Sequence, residues 1–283
     1  MTAGTLYVVA TPIGNLEDVT LRALRVLREV DLIAAEDTRR TRTLLERHGI
    51  ARPLTSYYDA VERQRAPALI ERLRAGAAVA LVSDAGTPGI ADPGYHLVRG
   101  ALAAGIAVVP VPGPSALTAL VSVAGFPAER FVFEGFLPSR PGPRAARLAA
   151  LVREPRALVF FEAARRLAAF LAAAEAALGD REAAIARELT KRHEEILRGR
   201  LSALRERVAR RASLRGEVTV LVAGAPAAEP ARDVASVDDE LRAGRAAGRG
   251  LRELAAEIAR RTGMPRREVY RRGLALERQR GSV

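Results

Sequence analysis

Val79-Ala80-Leu81-Val82-Ser83-Asp84-Ala85-Gly86-Thr87-Pro88-Gly89-Ile90-Ala91-Asp92-Pro93-Gly94 joins a short β-branched run to a loop with three glycines, two prolines and two aspartates in twelve residues. The pair reads as a strand running into a turn-rich connection. Runs of the same kind stand at Leu6-Tyr7-Val8-Val9-Ala10, Asp31-Leu32-Ile33-Ala34-Ala35 and Ile106-Ala107-Val108-Val109. Between them the apolar spacing turns helical: Leu21, Leu24, Val26, Leu27 and Val30 recur every three to four residues, with Arg22, Arg25 and Arg28 on the other face. Strands alternating with helices predict a parallel α/β sheet.

A second series follows at Ala157–Phe161, Ala183–Ala186 and Val218–Val222, with Ala-rich helices around residues 165–178 and 201–212. It predicts a second α/β unit. The Pro/Gly-rich, basic stretch 135–144 between the two series reads as a mobile loop. Residues 224–236 read as a linker, and the composition changes after it: from Arg242 to Val283 there are twelve Arg against four Glu and no Asp. Within this tail Ala259, Gly263 and Val269 fall on the fifth, ninth and fifteenth positions of a helix-turn-helix template, with Gly263 at the turn. The expected organisation is an N-terminal α/β domain over 1–118, a second over 119–225 and a basic helical module over 237–283.

The chain has 283 residues, a net charge of +12, no cysteine and 49% hydrophobic residues. A disulfide framework, a thiolate metal site and a cysteine nucleophile are excluded. No apolar stretch approaches the roughly 18 residues that span a bilayer, so the chain reads as soluble and cytoplasmic. A pI of about 11.1 makes a polyanion the first partner to consider. Lys191 is the only lysine among 45 cationic residues and Asn15 the only asparagine. Arginine cannot replace lysine where a compact or deprotonable ammonium is needed, and aspartate cannot replace an asparagine that must both donate and accept.

Ligands of an α/β sheet bind beyond the C-terminal strand ends, so the loops after the strands carry the chemistry. In Thr11-Pro12-Ile13-Gly14-Asn15-Leu16, Pro and Gly shape a tight turn that Asn15 can fix or cap. It matches neither dinucleotide nor P-loop patterns. Glu36-Asp37-Thr38-Arg39-Arg40-Thr41-Arg42 sets two acids before a basic helix start, which also reads as a self-neutralising ion-pair cluster. In the 83–94 loop the glycines allow a ligand close to the backbone, and Asp84 offers a carboxylate to a cation. Pro110-Val111-Pro112-Gly113-Pro114-Ser115-Ala116-Leu117 is a rigid turn into a helix, with Ser115 as cap or ligand contact. His48, His96 and His193 show no partner pattern and read as surface or packing residues.

Taken together, TPIGN, AAEDTRRT, LVSDAGTPGIADPG, PVPGPSAL, EGFLP, FFEAARR and ARELTK, in this order and spacing, closely resemble the bacterial 16S ribosomal RNA cytidine 2′-O-methyltransferases of the tetrapyrrole-methylase superfamily. The resemblance covers residues 5–223; Tyr57-Tyr58-Asp59-Ala60-Val61-Glu62 departs from it, where the family often carries a His/Asn-containing stretch. It implies a two-lobed α/β fold with S-adenosylmethionine in the cleft between the lobes, a small C-terminal helical module, and a homodimer acting on 16S ribosomal RNA. Carried over by motif position, the cofactor contacts are Pro12, Ile13, Gly14, Asp84, Gly86, Thr87, Ser115, Ala116, Phe161 and Glu162. Candidates for drawing the proton from the ribose hydroxyl are Lys191, Glu188, Glu162 and Asp37. Candidate RNA contacts are Arg39, Arg140, Arg144, Arg266, Arg267 and Arg271. Methyl transfer from a sulfonium demands no metal. Two other readings stand beside this one: a tetrapyrrole methyltransferase on the same fold, which the basic charge disfavours, and a non-catalytic nucleic-acid binder, which leaves the glycine-rich loops unexplained.

Overall fold

The computed structural model describes residues 4–211, 214–226 and 234–280. Residues 227–233 of the expected linker, residue 212 at the end of an expected helix and residues 281–283 of the expected module lie outside the described residues. The chain divides into two compact units, Met1–Ala225 and Pro226–Val283.

The first unit begins with β1 (Thr5–Val9), α1 (Leu21–Glu29), β2 (Leu32–Ala35), α2 (Thr38–Arg47), β3 (Leu54–Ser56), α3 (Asp59–Arg74), β4 (Val79–Val82), α4 (Tyr95–Ala103) and β5 (Ala107–Val111). The five strands form one sheet in the order β3-β2-β4-β1-β5, with every pairing parallel. Alternation places both halves of each central strand in a core. In β4, Val79 and Leu81 join Leu69, Leu73 and Leu97 of the α3 and α4 side, whereas Ala80 and Val82 join Leu24 and Leu27 of α1. Helices on both faces explain why these strands are apolar throughout.

After α5 (Ala116–Ser122) come β6 (Phe131–Phe136), α6 (Pro141–Ala150), β7 (Ala157–Ala163), α7 (Leu167–Leu178), β8 (Glu182–Arg187), β9 (Glu195–Arg200), α8 (Leu201–Ala209) and β10 (Glu217–Val222). Their sheet runs β6-β7-β10-β8-β9 and is mixed: only β6 and β7 are parallel. One face packs on α7 and α8 through Phe160, Phe170, Leu171, Leu201 and Leu204, the other on α5 through Leu120. The loop expected over 135–144 is replaced by ordered elements. Gly135 and Phe136 finish β6, and Pro141 starts α6 at its first turn, where its fixed φ and missing N–H carry no penalty.

In the second unit α9 (Val234–Ala246), α10 (Leu251–Thr262) and α11 (Arg266–Arg280) enclose a core of Val237, Leu241, Leu254, Ile258, Met264 and Val269. Gly263 ends α10 in the left-handed conformation, φ 69°, and its N–H returns to the Ala259 carbonyl at 3.0 Å. Among the described residues no helix is long and apolar enough to cross a membrane.

Candidate functional site

Parallel strands deliver their following loops to one edge of the first sheet. The loops after β1 and β4 lock together there: Thr11 N donates to the Gly86 carbonyl at 2.8 Å, Gly86 N donates to the Thr11 carbonyl at 3.0 Å, and Thr11 Oγ1 donates to the Ser83 carbonyl at 3.0 Å. The second sheet contributes the ends of β7 and β10, whose register sets Val218 opposite Glu162 and Glu217 opposite Ala163. Between these walls lies a cavity of about 330 Å³. Ile13, Ile90, Phe136 and Phe161 form its apolar lining, and Thr87, Ser115, Asp92, Glu162 and Glu217 its polar one. Phe161 meets Phe133 edge-on at 4.9 Å and Phe136 at 5.7 Å.

The polar groups of this cavity are all acids or neutral donors; among the described residues no Lys or Arg lines it. Glu162 is only 2% exposed. Its Oε1 accepts from Ala163 N at 2.9 Å and lies 3.1 Å from Arg166 Nε, off the hydrogen-bonding direction, whereas Oε2 is buried without a partner. Burial, with the charge of Glu36 nearby, pushes the Asp92 carboxyl up to about 7. Burial likewise raises Glu36, whose Oε2 accepts from Asp84 N at 3.1 Å. Ser115 occupies the position before α5 but makes no side-chain cap bond.

A second cavity of about 270 Å³ shares Ile13, Ala85 and Glu217 with the first and adds Pro12, Gly14, Arg40, Asp84 and Lys191. An open groove of about 700 Å³ continues past Gly14, Leu16 and Lys191 to Arg47, His48 and Arg192. Lys191 stands where the two meet. Its Nζ donates to Glu188 Oε1 at 3.0 Å and to Glu217 Oε2 at 2.9 Å. Burial of the ammonium opposes its charge, but the bonds to Glu217 and Glu188 outweigh it and hold the pKa above the ordinary lysine value. Burial of Glu188 is in turn outweighed by the Glu217 N–H and the ammonium, which lower its carboxyl. Two glycines make room for this arrangement. A Cβ on Gly14 would stand 2.5 Å from Lys191 Cγ, and one on Gly216, at φ +100°, would stand 2.3 Å from Glu188 Oε1.

The residues expected at the cofactor divide between the two cavities. Ile13, Gly86, Thr87, Ser115, Ala116, Phe161 and Glu162 line the first, Ile13 the second as well; Pro12, Gly14 and Asp84 line the second and not the first. Asp84 is engaged there, its Oδ1 accepting from Asp37 N at 2.9 Å and its Oδ2 lying 3.4 Å from Arg40. At Gly86 the demand is on conformation, φ +81°, rather than on space: a Cβ would meet nothing nearer than 3.6 Å.

Of the proposed proton acceptors, Glu162 lies in the first cavity and Lys191 in the second, Glu188 lines none of the cavities described but contacts Lys191, and Asp37 neither lines one of them nor contacts these residues. Asp37 caps α2, accepting from Arg39 N at 2.8 Å, and the Arg39 guanidinium beside it holds its carboxyl well below the usual range. Arg39 is thereby folded onto Asp37, the ion-pair reading of that loop. Arg144 is buried, 8% exposed, because α6 occupies the stretch expected as a loop, so it is not an outward-facing cation. Arg140 is exposed just before α6, and Arg266, Arg267 and Arg271 are exposed along α11. Arg272 is paired with Asp238 at 2.9 Å. Asn15 caps a short helical turn by accepting from Glu17 N. Sequence reading passed over Asp92, Gly216 and Glu217; only Asp92 carried a signal, its place in the glycine-rich loop.

Residues 5–205 match the family model of the tetrapyrrole (corrin/porphyrin) methylases. Proteins named ribosomal RNA small subunit methyltransferase I are similar along the chain. The one from Pseudomonas aeruginosa is 48% identical over 99% of both chains, and the one from Escherichia coli O157:H7 is 46% identical over 98% of this chain and 96% of its own. That of Thermotoga maritima is 50% identical over 221 residues, 78% of this chain and 99% of its own. Among solved structures the methyltransferase CobJ superposes with a TM-score of 0.60 at 22% identity, covering 79% of this chain and 95% of its own. Uroporphyrin III C-methyltransferase from Thermus thermophilus gives 0.56 at 21%, covering 77% and 97%. The chain thus belongs to the tetrapyrrole methylase family and stands within it among the proteins named ribosomal RNA small subunit methyltransferase I.

Proposed function

We propose that this protein transfers a methyl group from S-adenosylmethionine to ribosomal RNA of the small subunit, at the ribose 2′-hydroxyl of a cytidine. The observation that carries the proposal is the contrast in charge between the first cavity and the groove beyond the second. The first combines an apolar lining with Asp92, Glu162 and Glu217, and suits a ligand that carries adenine, an ammonium and a sulfonium. The second balances Arg40 and Lys191 against Asp84 and Glu217, and the groove beyond it brings Lys191, Arg47 and Arg192 together against Glu17 alone and suits a polyanion. The partnerless Glu162 Oε2 is a further mark of fit, since a buried carboxylate oxygen without a partner is costly unless a ligand supplies one.

When bound, the cofactor supplies a methyl on a positive sulfur that leaves as a neutral thioether. What the chain supplies is position and proton handling. Lys191, kept charged by two carboxylates, is unsuited to accept a proton and suited to hold the acceptor strand or orient its hydroxyl. Glu188 fixes the ammonium. Glu217, the more exposed of the two carboxylates and common to both cavities, is the group placed to take the hydroxyl proton. The working form proposed is a cytoplasmic homodimer; Ile90, Tyr95 and Phe136 are large apolar side chains left exposed around the 83–94 loop and the first cavity, as a partner surface requires.

The test is methyl transfer from radiolabelled cofactor to small-subunit RNA, to DNA and to uroporphyrinogen. Label on RNA alone, mapped to a cytidine ribose, is the expected result. Label on uroporphyrinogen instead would return the chain to the tetrapyrrole chemistry of its fold neighbours.

A further inference from the structure

The groove beyond Lys191 has a construction that the proposed reaction alone does not require. Glu188 and Thr190 both hold left-handed backbone, φ 53° and 65°, which is strained for residues other than glycine. Thr190 N donates to Glu194 Oε2 at 2.6 Å and Lys191 N donates to the Glu188 carbonyl at 3.0 Å, so the turn is pinned in this shape. Its effect is to set Lys191 and Arg192 side by side facing α2, whose last turn contributes Arg47 and whose C-terminal cap is His48. Arg47 and Arg192 are exposed, and among the described residues neither has a carboxylate within 4.0 Å, whereas Arg39 and Arg40 are paired. Glu17 is the one acid along this groove. Thr190 and His48 line it too, and Thr190 Oγ1 and His48 Nε2 are buried without hydrogen-bond partners.

From this geometry, and resting on RNA being the acceptor, we infer that Arg47 and Arg192 grip the phosphates on either side of the target nucleotide, which enters as a single unstacked residue. The second cavity, about 270 Å³, takes one nucleoside and not a base pair. An RNA duplex would keep its ribose outside, so the strand must be single or the nucleotide flipped. Its ribose then reaches Lys191 and the adjoining Glu217, which the second cavity shares with the carboxylate-lined one, while the chain continues through the groove. Arginine serves the grip because its planar fork matches phosphate oxygens, and the compact ammonium of lysine serves the point between Glu188 and Glu217.

The test replaces both grip residues, Arg47→Gln with Arg192→Gln, and compares the full-length protein with the wild type and with a control carrying Arg72→Gln and Arg153→Gln, exposed positions outside the three cavities. Measured are the KM for small-subunit RNA, the salt dependence of RNA affinity, and cofactor affinity by calorimetry. Expected for the grip variant are a tenfold or greater rise in KM and a salt slope shallower by about 1.4, that is about 0.7 for each single-strand phosphate no longer neutralised. Cofactor affinity stays at the wild-type value and the control behaves as wild type. A KM and salt slope matching the control overturn the grip while leaving RNA methylation in place. A wild type that places no label on RNA overturns the reading on which the grip rests.

Discussion

Lys191 is legible in the sequence because it is the chain's only lysine, and the structure gives a reason for a lysine there. A compact ammonium fits between Glu188 Oε1 at 3.0 Å and Glu217 Oε2 at 2.9 Å, whereas the longer, planar guanidinium spreads its donors and does not set one nitrogen at that point. Lys191→Arg is therefore expected to leave RNA binding within a few fold and to lower the single-turnover rate by roughly 100-fold, the scale of losing a positioned polar group. A variant as fast as wild type at saturating cofactor and RNA would show that the lysine is there for charge alone. Asp92 permits a second measurement. With its carboxyl at about 7 against an ordinary 3.8, the ligand-free folded state favours the protonated form. The stability it lends is complete below the ordinary value and is lost as pH rises through 7. A cation bound beside it favours the ionised form, so affinity for the positively charged cofactor should rise severalfold from pH 6 to pH 8. In Asp92→Asn that profile should be flat, and a wild type equally flat in calorimetry would place the cation elsewhere.

Most of the strands that the sequence reveals are buried on both sides, with β5, half-buried at a sheet edge but rich in valine, as the exception. β1, β2, β4, β7, β8 and β10 are apolar runs because a core lies on each face, and they were readable for that reason. β3 escapes with three half-buried residues at a sheet edge, too few to show a period. β9 escapes as an edge of the second sheet, where Glu195, Arg198 and Arg200 face solvent or ion pairs. β6 is disguised by a bulge at Glu134 and Gly135, where the register against β7 shifts. The candidate site follows the same division. The loops of the first sheet announce themselves by glycine and proline, whereas the second sheet contributes Glu217 and Gly216 from an ordinary strand end, and nothing local marks them. Gly216 is understood only once Glu188, 28 positions earlier in sequence, is seen lying over it at a distance that admits no side chain.

The two compact units divide the chemical labour in composition as well as in space. Every group of the two cavities and the groove belongs to Met1–Ala225, and the Thermotoga maritima relative aligns over 221 residues that make up nearly all of its length, leaving little room for a counterpart of Pro226–Val283. The second unit spends several arginines on its own cohesion: Arg272 on Asp238, Arg245 on Glu277, Arg249 on Glu257 and Arg261 on Glu240. Arg266, Arg267 and Arg271 are exposed on α11 with no carboxylate within 4.0 Å among the described residues, in the helix that follows the Gly263 turn. We propose that these arginines meet phosphates, adding affinity that salt weakens. Removing residues 226–283 should therefore leave cofactor affinity unchanged, weaken RNA binding, and flatten its salt slope by about 2, or about 0.7 for each of three single-strand phosphates. Filter-binding titrations between low and physiological salt, run beside cofactor calorimetry on the same truncated protein, decide it. A truncated protein with the wild-type slope would make the α11 arginines a solvated face, and would leave recognition of the strand to the groove beside Lys191.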